Sequence, residues 1–398
     1  AVNDATLLGT ADVWALRIGT AADNETTLTG HQINIHSGGL IVDNNNAVGR
    51  VNFDTTNLYF GDGTNPVEGI IFNDANGVTT RVGGILTAAN LTVHGPGQLE
   101  LTNTGNQISG NIQMNGGTLF ANGAGTLGSA TITIAGDWLG NNDGQQMAEI
   151  RLRTNNNANT NFANAIIVSE NLPYARIFAE RYTGTSVAAA VVTIPSLTIL
   201  GTNTLQGTSL IFNNNTGTNS ANTHDLTVNG TTNVGGSGPL GLHVQARTLT
   251  LAGILTASAP IFKSGDGVLR LDGLNDATFS SLVTLNRGEI RLTAGNVAGL
   301  SSQAEGTGSY TLNFGTLRLA AQNITTTNST TTFLNSANQH LTIAGAVTIG
   351  YDRNGGTPAT NSNNVTIGAA GLEFRTVNSP QVIFDALSSF GDGLRIAS

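Results

Sequence analysis

Residues 95–134 read GPGQLELTNTGNQISGNIQMNGGTLFANGAGTLGSATITI, and this stretch decides the fold. Apolar and polar residues alternate in Gln98-Leu99-Glu100-Leu101, in Asn111-Ile112-Gln113-Met114 and in Ala130-Thr131-Ile132-Thr133-Ile134. That is the period of two expected of strands with one buried side. Each run closes on Gly or Asn, so the strands are short and separated by tight corners. The phrase returns after roughly twenty residues, the length of one circuit of a coil.

The same alternation recurs in Gln32 to His36, Leu197 to Leu200, Arg247 to Leu251 and Leu341 to Ile343. Gln145 to Arg153 contains helix-favouring residues, yet Ile150 and Leu152 alternate with Glu149, Arg151 and Arg153, which predicts a strand. Composition agrees with an all-β chain. Of 398 residues, 51 are Gly, 47 Asn and 55 Thr, and only 10% are charged. An ordinary helical or α/β enzyme is richer in Leu, Ala, Glu and Lys. A hydrophobic content of 39% is too high for a disordered chain.

Self-similarity extends beyond one coil. Gly84-Ile85-Leu86-Thr87-Ala88 returns as Gly253-Ile254-Leu255-Thr256-Ala257, and Gly95-Pro96-Gly97-Gln98-Leu99-Glu100-Leu101 as Gly265-Asp266-Gly267-Val268-Leu269-Arg270-Leu271. Asn115 to Leu119 parallels Asn286 to Ile290, and Leu40 to Asn45 parallels Leu210 to Asn215. The offset of about 170 residues implies two tandem blocks, 38–205 and 206–375, with 376–398 opening a third at Gly391-Asp392-Gly393-Leu394. The reading is one elongated domain over 1–398, with 1–20 a candidate N-terminal assembly segment able to donate a strand to another copy. About twenty coils are expected, with Asn at the corners taking left-handed backbone angles and stacking amide on amide.

The stretch Gly95 to Ile134 resembles the autotransporter-associated β-strand repeat of secreted bacterial passenger domains, more weakly again over Gly265 to Leu300. The resemblance implies a right-handed parallel β-helix (β-solenoid) at the cell surface. It covers about a third of the chain, and nothing here resembles the C-terminal membrane barrel of such proteins.

Chemistry-bearing motifs are few. Gly123-Ala124-Gly125-Thr126-Leu127-Gly128 fits a dinucleotide fingerprint but leads into a strand, where a helix N-terminus is needed. The six histidines are scattered, and the odd spacing of His31 and His36 puts them on opposite faces of a strand. Gly61-Asp62-Gly63, Gly265-Asp266-Gly267 and Gly391-Asp392-Gly393 read as Asx-type turns before calcium sites, and Asp137 to Asp143 as a surface loop. A polysaccharide-cleaving site would need carboxylates and a base aligned on successive coils. The richest patch for that is Tyr174, Arg176, Phe178, Glu180, Arg181 and Tyr182, read as an inserted flap and a contact surface. No catalytic, cofactor-binding or metal-ligating residue is assigned.

A net charge of -9 leaves no basic stripe for nucleic acid. The single lysine, Lys263, and the lack of cysteine remove most covalent cross-linking chemistry. The longest apolar run, Ser186 to Pro195, is too short to cross a bilayer. The chain opens at Ala1 without Met, as an exported protein does after its signal peptide is removed. The expectation is a non-enzymatic, extracellular structural protein. Copies of itself are its partners, joined end to end by strand complementation and apolar burial into a filament, sheath or surface layer. The alternative is a monomeric surface adhesin with cell-surface or matrix glycans as partners.

Overall fold

A computed structural model describes residues 5–20, 25–44, 50–74, 79–136, 148–155, 158–170, 172, 174–183, 190–202, 208–212, 223–236, 238–257, 259–273, 275, 279–294, 306–322, 330–334, 339–354, 364–367, 371–374, 382–386 and 393–396. The described residues are all β, with strands that pair almost exclusively in parallel, one coil upon the next. The fold is a parallel β-helix. It divides into two compact units, Ala1–Leu197 with Gly217–His224, and Thr198–Thr216 with Asp225–Ser398.

In the first unit each coil contributes up to three strands. The first face stacks Ala5–Leu7, Thr26–Gly30, Arg50–Phe53, Thr79–Val82, Gln98–Leu101, Thr118–Asn122, Glu149–Asn155 and Tyr174–Thr183. The second stacks Ala11–Val13, Gln32–Ile35, Asn57–Phe60, Leu86–Ala88 and Gln107–Ile108. The third runs from Leu16–Thr20 through Gly39–Asn44, Gly69–Asn73, Leu91–His94, Asn111–Met114 and Thr131–Ile134 to Ile166–Val168. The second unit repeats the plan: its first face begins at Thr208–Phe212 and ends at Gly371–Phe374, and its second runs from Asp225–Val228 to Val382–Ala386.

Register explains the core. Leu16, Leu40, Ile71, Val93, Met114, Ile134 and Val168 form one inward column of the first unit. Leu226, Leu249, Leu269, Ile290, Leu317 and Ile349 form one of the second. Apart from Leu16, at the open end of its column, these side chains are buried, each contributing about 1.5–3 kcal/mol of burial free energy. Like stacks on like because alternation repeats in phase at every rung.

Among the described residues there are eight first-face strands in the first unit and seven in the second, against the twenty coils expected. Corner insertions are the reason. The register step grows from 19 residues between Thr79 and Gln98 to 35 between Val347 and Val382.

Asparagine also works differently from expectation. Among the described residues the non-glycine positions with positive φ are Arg247 and Leu334, not Asn. Corner asparagines instead bond across a coil to backbone. Asn106 accepts from the Leu86 amide at 2.9 Å and donates to the Thr126 carbonyl at 2.8 Å, and Asn275 accepts from Leu255 at 2.7 Å. Unequal corner lengths prevent one Asn from always standing over another, although Asn313 does donate to Asn286 at 2.7 Å.

Candidate functional site

The coil made by Ala5–Leu7, Ala11–Val13 and Leu16–Thr20 is paired on one side only. Its inward residues Val13, Leu16 and Ile18 are half-buried, whereas their register partners Ile35, Leu40 and Val42 are fully covered. Leu8 and Trp14 are 93% and 77% exposed. Among the described residues, the outer edge of this coil has no strand paired to it, and the apolar side chains of its core face are only partly covered. Among the described residues, Gly371–Phe374, Val382–Ala386 and Gly393–Ile396 are likewise paired on one side only.

Within the candidate assembly segment 1–20, Ala5, Thr6 and Leu7 lie in register on Leu28, Thr29 and Gly30 of their own chain and form a rung. The coil is fastened to the next by an Arg17–Asp43 ion pair and by Asp12, which accepts from Asn34 at 2.9 Å and meets His36 Nε2 at 3.2 Å. Those two contacts, Asn34 first, lower the Asp12 pKa.

The Tyr174–Tyr182 patch is corrected: it is a rung of the first face, not an inserted flap. Apolar Ala175, Ile177 and Ala179 on its inner side are buried and fix it there. Outward, the register sets Arg176 on Glu149, Phe178 on Arg151 and Glu180 on Arg153, with a bulge that leaves Tyr182 extra. The preceding rungs add Phe120 and Glu100.

The result is a charged and aromatic grid. Arg151 bonds Glu149 and lies 3.1 Å from Glu180 Oε2, while Arg153 Nε is 2.6 Å from Glu180 Oε1 and its Nη1 is 3.5 Å from Glu100. Arg153 caps the Phe120 ring at 3.8 Å from its centroid, and Arg151 the Phe178 ring at 4.5 Å. Burial opposes the Arg151 charge, but Glu149 and Glu180 more than offset it and raise its pKa. Both glutamates are 6% exposed, and every carboxylate oxygen of the pair is engaged by an arginine. The grid clamps successive coils, and neither carboxylate faces open solvent where a substrate would lie. Sequence spacing missed it because partners stand 27 and 29 residues apart across insertions.

A second ladder stacks Arg270, Arg291 and Arg318 in register, compensated by Asp272 at 2.7 Å and by Glu289 at 2.9 and 3.3 Å. Lys263 is a further surprise. The chain's one lysine is fully buried within an inward column between Leu242 and Leu285. Its Nζ donates to the carbonyls of Ser264, Gly265 and Arg287 at 3.0, 2.9 and 3.0 Å. Burial pushes its pKa down to about 8, against the opposing pull of Asp266 and Glu289.

Other sequence motifs settle into the corners. Gly123 to Gly128 is a turn before the strand Thr131–Ile134. Asp62 forms the expected Asx turn, accepting from Thr64 and Asn65 amides at 2.8 and 2.7 Å. These bonds, with Asn65 first, depress its pKa to about 2. Asp266 pairs with Arg287 at 2.9 Å. Asp137 to Asp143 and Gly391-Asp392 lie outside the described residues. Among the described residues no three His, Asp or Glu side chains converge as metal ligands. No family model, curated protein or solved structure matches the chain.

Proposed function

We propose that this protein is an exported structural subunit that stacks end to end into an extracellular filament, sheath or surface layer. The observation behind the reading is the coil at residues 5–20, whose inward side chains are half-buried and whose strands are paired on one side only among the described residues. A parallel edge and an apolar cross-section together favour another parallel coil as the covering surface. A charged content of 10% keeps repulsion between copies low. Joining is by edge pairing and apolar burial, and the resemblance to passenger-type repeats is consistent with a cell-surface setting.

Negative-stain microscopy and light scattering of the purified chain test this directly. Fibres whose length grows with protein concentration are expected, and the double variant Leu8→Asp, Trp14→Asp should leave single particles with unchanged circular dichroism. Single particles of the unaltered chain at every concentration, or undiminished fibres from the variant, would overturn the reading.

A further inference from the structure

The second face of the first unit carries an outward file in which Asp12, Asn34, Tyr59, Thr87 and Gln107 stand on successive rungs. Rungs are about 4.8 Å apart. At the Gln107 end lies a cleft of about 380 Å³ between this file and the loop after Phe60, with Pro66 on one wall and Ser129 on the other. Its volume falls within the roughly 300–1,000 Å³ typical of small-molecule sites.

The loop that makes the wall is tied down at both ends. Gly61 and Pro66 form an antiparallel bridge, the Asp62 carboxylate holds Thr64 and Asn65, and the Val67 carbonyl accepts from the Ala89 amide at 2.9 Å. A fixed wall spares a ligand the cost of ordering it.

The lining selects the ligand class. It has no charged side chain, so an ionic ligand would find no counter-charge. The Thr87, Ser109 and Ser129 hydroxyls and the Gln107 amide offer donors and acceptors together, and none has a hydrogen-bond partner among the described residues. Ala88 and Ile108 supply a small apolar floor. Strand addition by a peptide is disfavoured, because the Ile108 carbonyl already accepts from Ser129 at 3.0 Å.

We propose that this cleft binds a short neutral oligosaccharide, its hydroxyls on Thr87, Gln107 and Ser129 and one sugar face on Pro66. The site stands whether or not copies stack. In saturation-transfer NMR on the full chain, cello-, malto-, xylo- and chito-tetraose are the probes, with tetragalacturonate and a Ser-Gly peptide as controls. At least one neutral tetrasaccharide should bind, about tenfold more weakly to Gln107→Ala and without detectable transfer to Ser129→Trp, while Arg270→Ala binds as the unaltered chain does. Absence of binding by all four neutral probes at about 5 mM, affinity unchanged in Gln107→Ala and Ser129→Trp alike, or binding confined to the charged or peptide control would each overturn the proposal.

Discussion

The corner after Leu91–His94 and the corner after Ile261–Ser264 have the same backbone and different polar chemistry. Gly95 and Gly265 have φ of 91° and 77°, and Gly117 and Gly288 of 70° and 80°. A Cβ on either Gly117 or Gly288 would come within 2.3 Å of the carbonyl oxygen one coil below. In the first unit Val93 is inward and hydrocarbon, and buried Asn73 supplies the donor, reaching the Gln98 carbonyl at 3.3 Å while accepting from Thr80 at 2.6 Å. In the second unit the equivalent pair is Val244 and Lys263, and the ammonium serves the corner carbonyls. The glycines set the geometry, and a buried donor at each corner can come from either of two adjacent coils.

The comparison breaks most completely at the glycines. Gly288→Val forces a left-handed angle on a β-branched residue and a carbonyl clash, and a cost of about 4 kcal/mol to the second unit is expected in urea unfolding. Val93→Lys buries an ammonium in an apolar column between Ile71 and Met114, beside a corner where Asn73 already serves the Gln98 carbonyl, for about 3 kcal/mol. Adding Asn73→Val to that variant transplants the second unit's arrangement. The double variant should regain about 1–2 kcal/mol over Val93→Lys alone, a coupling read from a double-mutant cycle. Simple additivity of the two losses would show that the corners are not interchangeable.

Proton linkage sharpens the contrast further. The folded state releases the Lys263 proton at about pH 8 and the unfolded chain near its ordinary value of 10.5. Between those values the unfolded state holds more protons, so stability of the second unit should rise with pH. Urea midpoints for Lys263→Met should be flat across this window. The smallest effect concerns Asp62, whose depressed pKa of about 2 means its turn is intact above pH 4 and loosens as pH falls towards 2. Amide shifts of Thr64 and Asn65 follow it, and Asp62→Ala should abolish the titration with little change in overall unfolding.

Strand alternation and glycine corners were legible because each depends on near neighbours in sequence. Leu86 with Asn106 and Leu255 with Asn275 make the same cross-coil bond in both copies of the repeat. What escaped reading depends on which residue lies one coil away. Glu180 meets Arg151 and Arg153 only because insertions lengthen that coil, and without its register Tyr174 to Tyr182 looked like a flap. Lys263 was hidden for another reason: a lysine in an alternating run reads as an outward residue, and only three carbonyls closing on its Nζ make the inward position tolerable. The saccharide cleft is assembled from Pro66, Gln107 and Ser129, which no spacing rule connects.

Enclosure of the only lysine side chain has a practical outcome. Aldehyde fixatives and succinimidyl esters find no lysine amine on the folded surface, so cross-linking of assembled material through side-chain amines should fail even where copies touch. A protease specific for lysine has one peptide bond to cut, and it can reach that bond only when the second unit opens. The fragment pair released by such cleavage would time the opening of that unit, without any label being added to the chain.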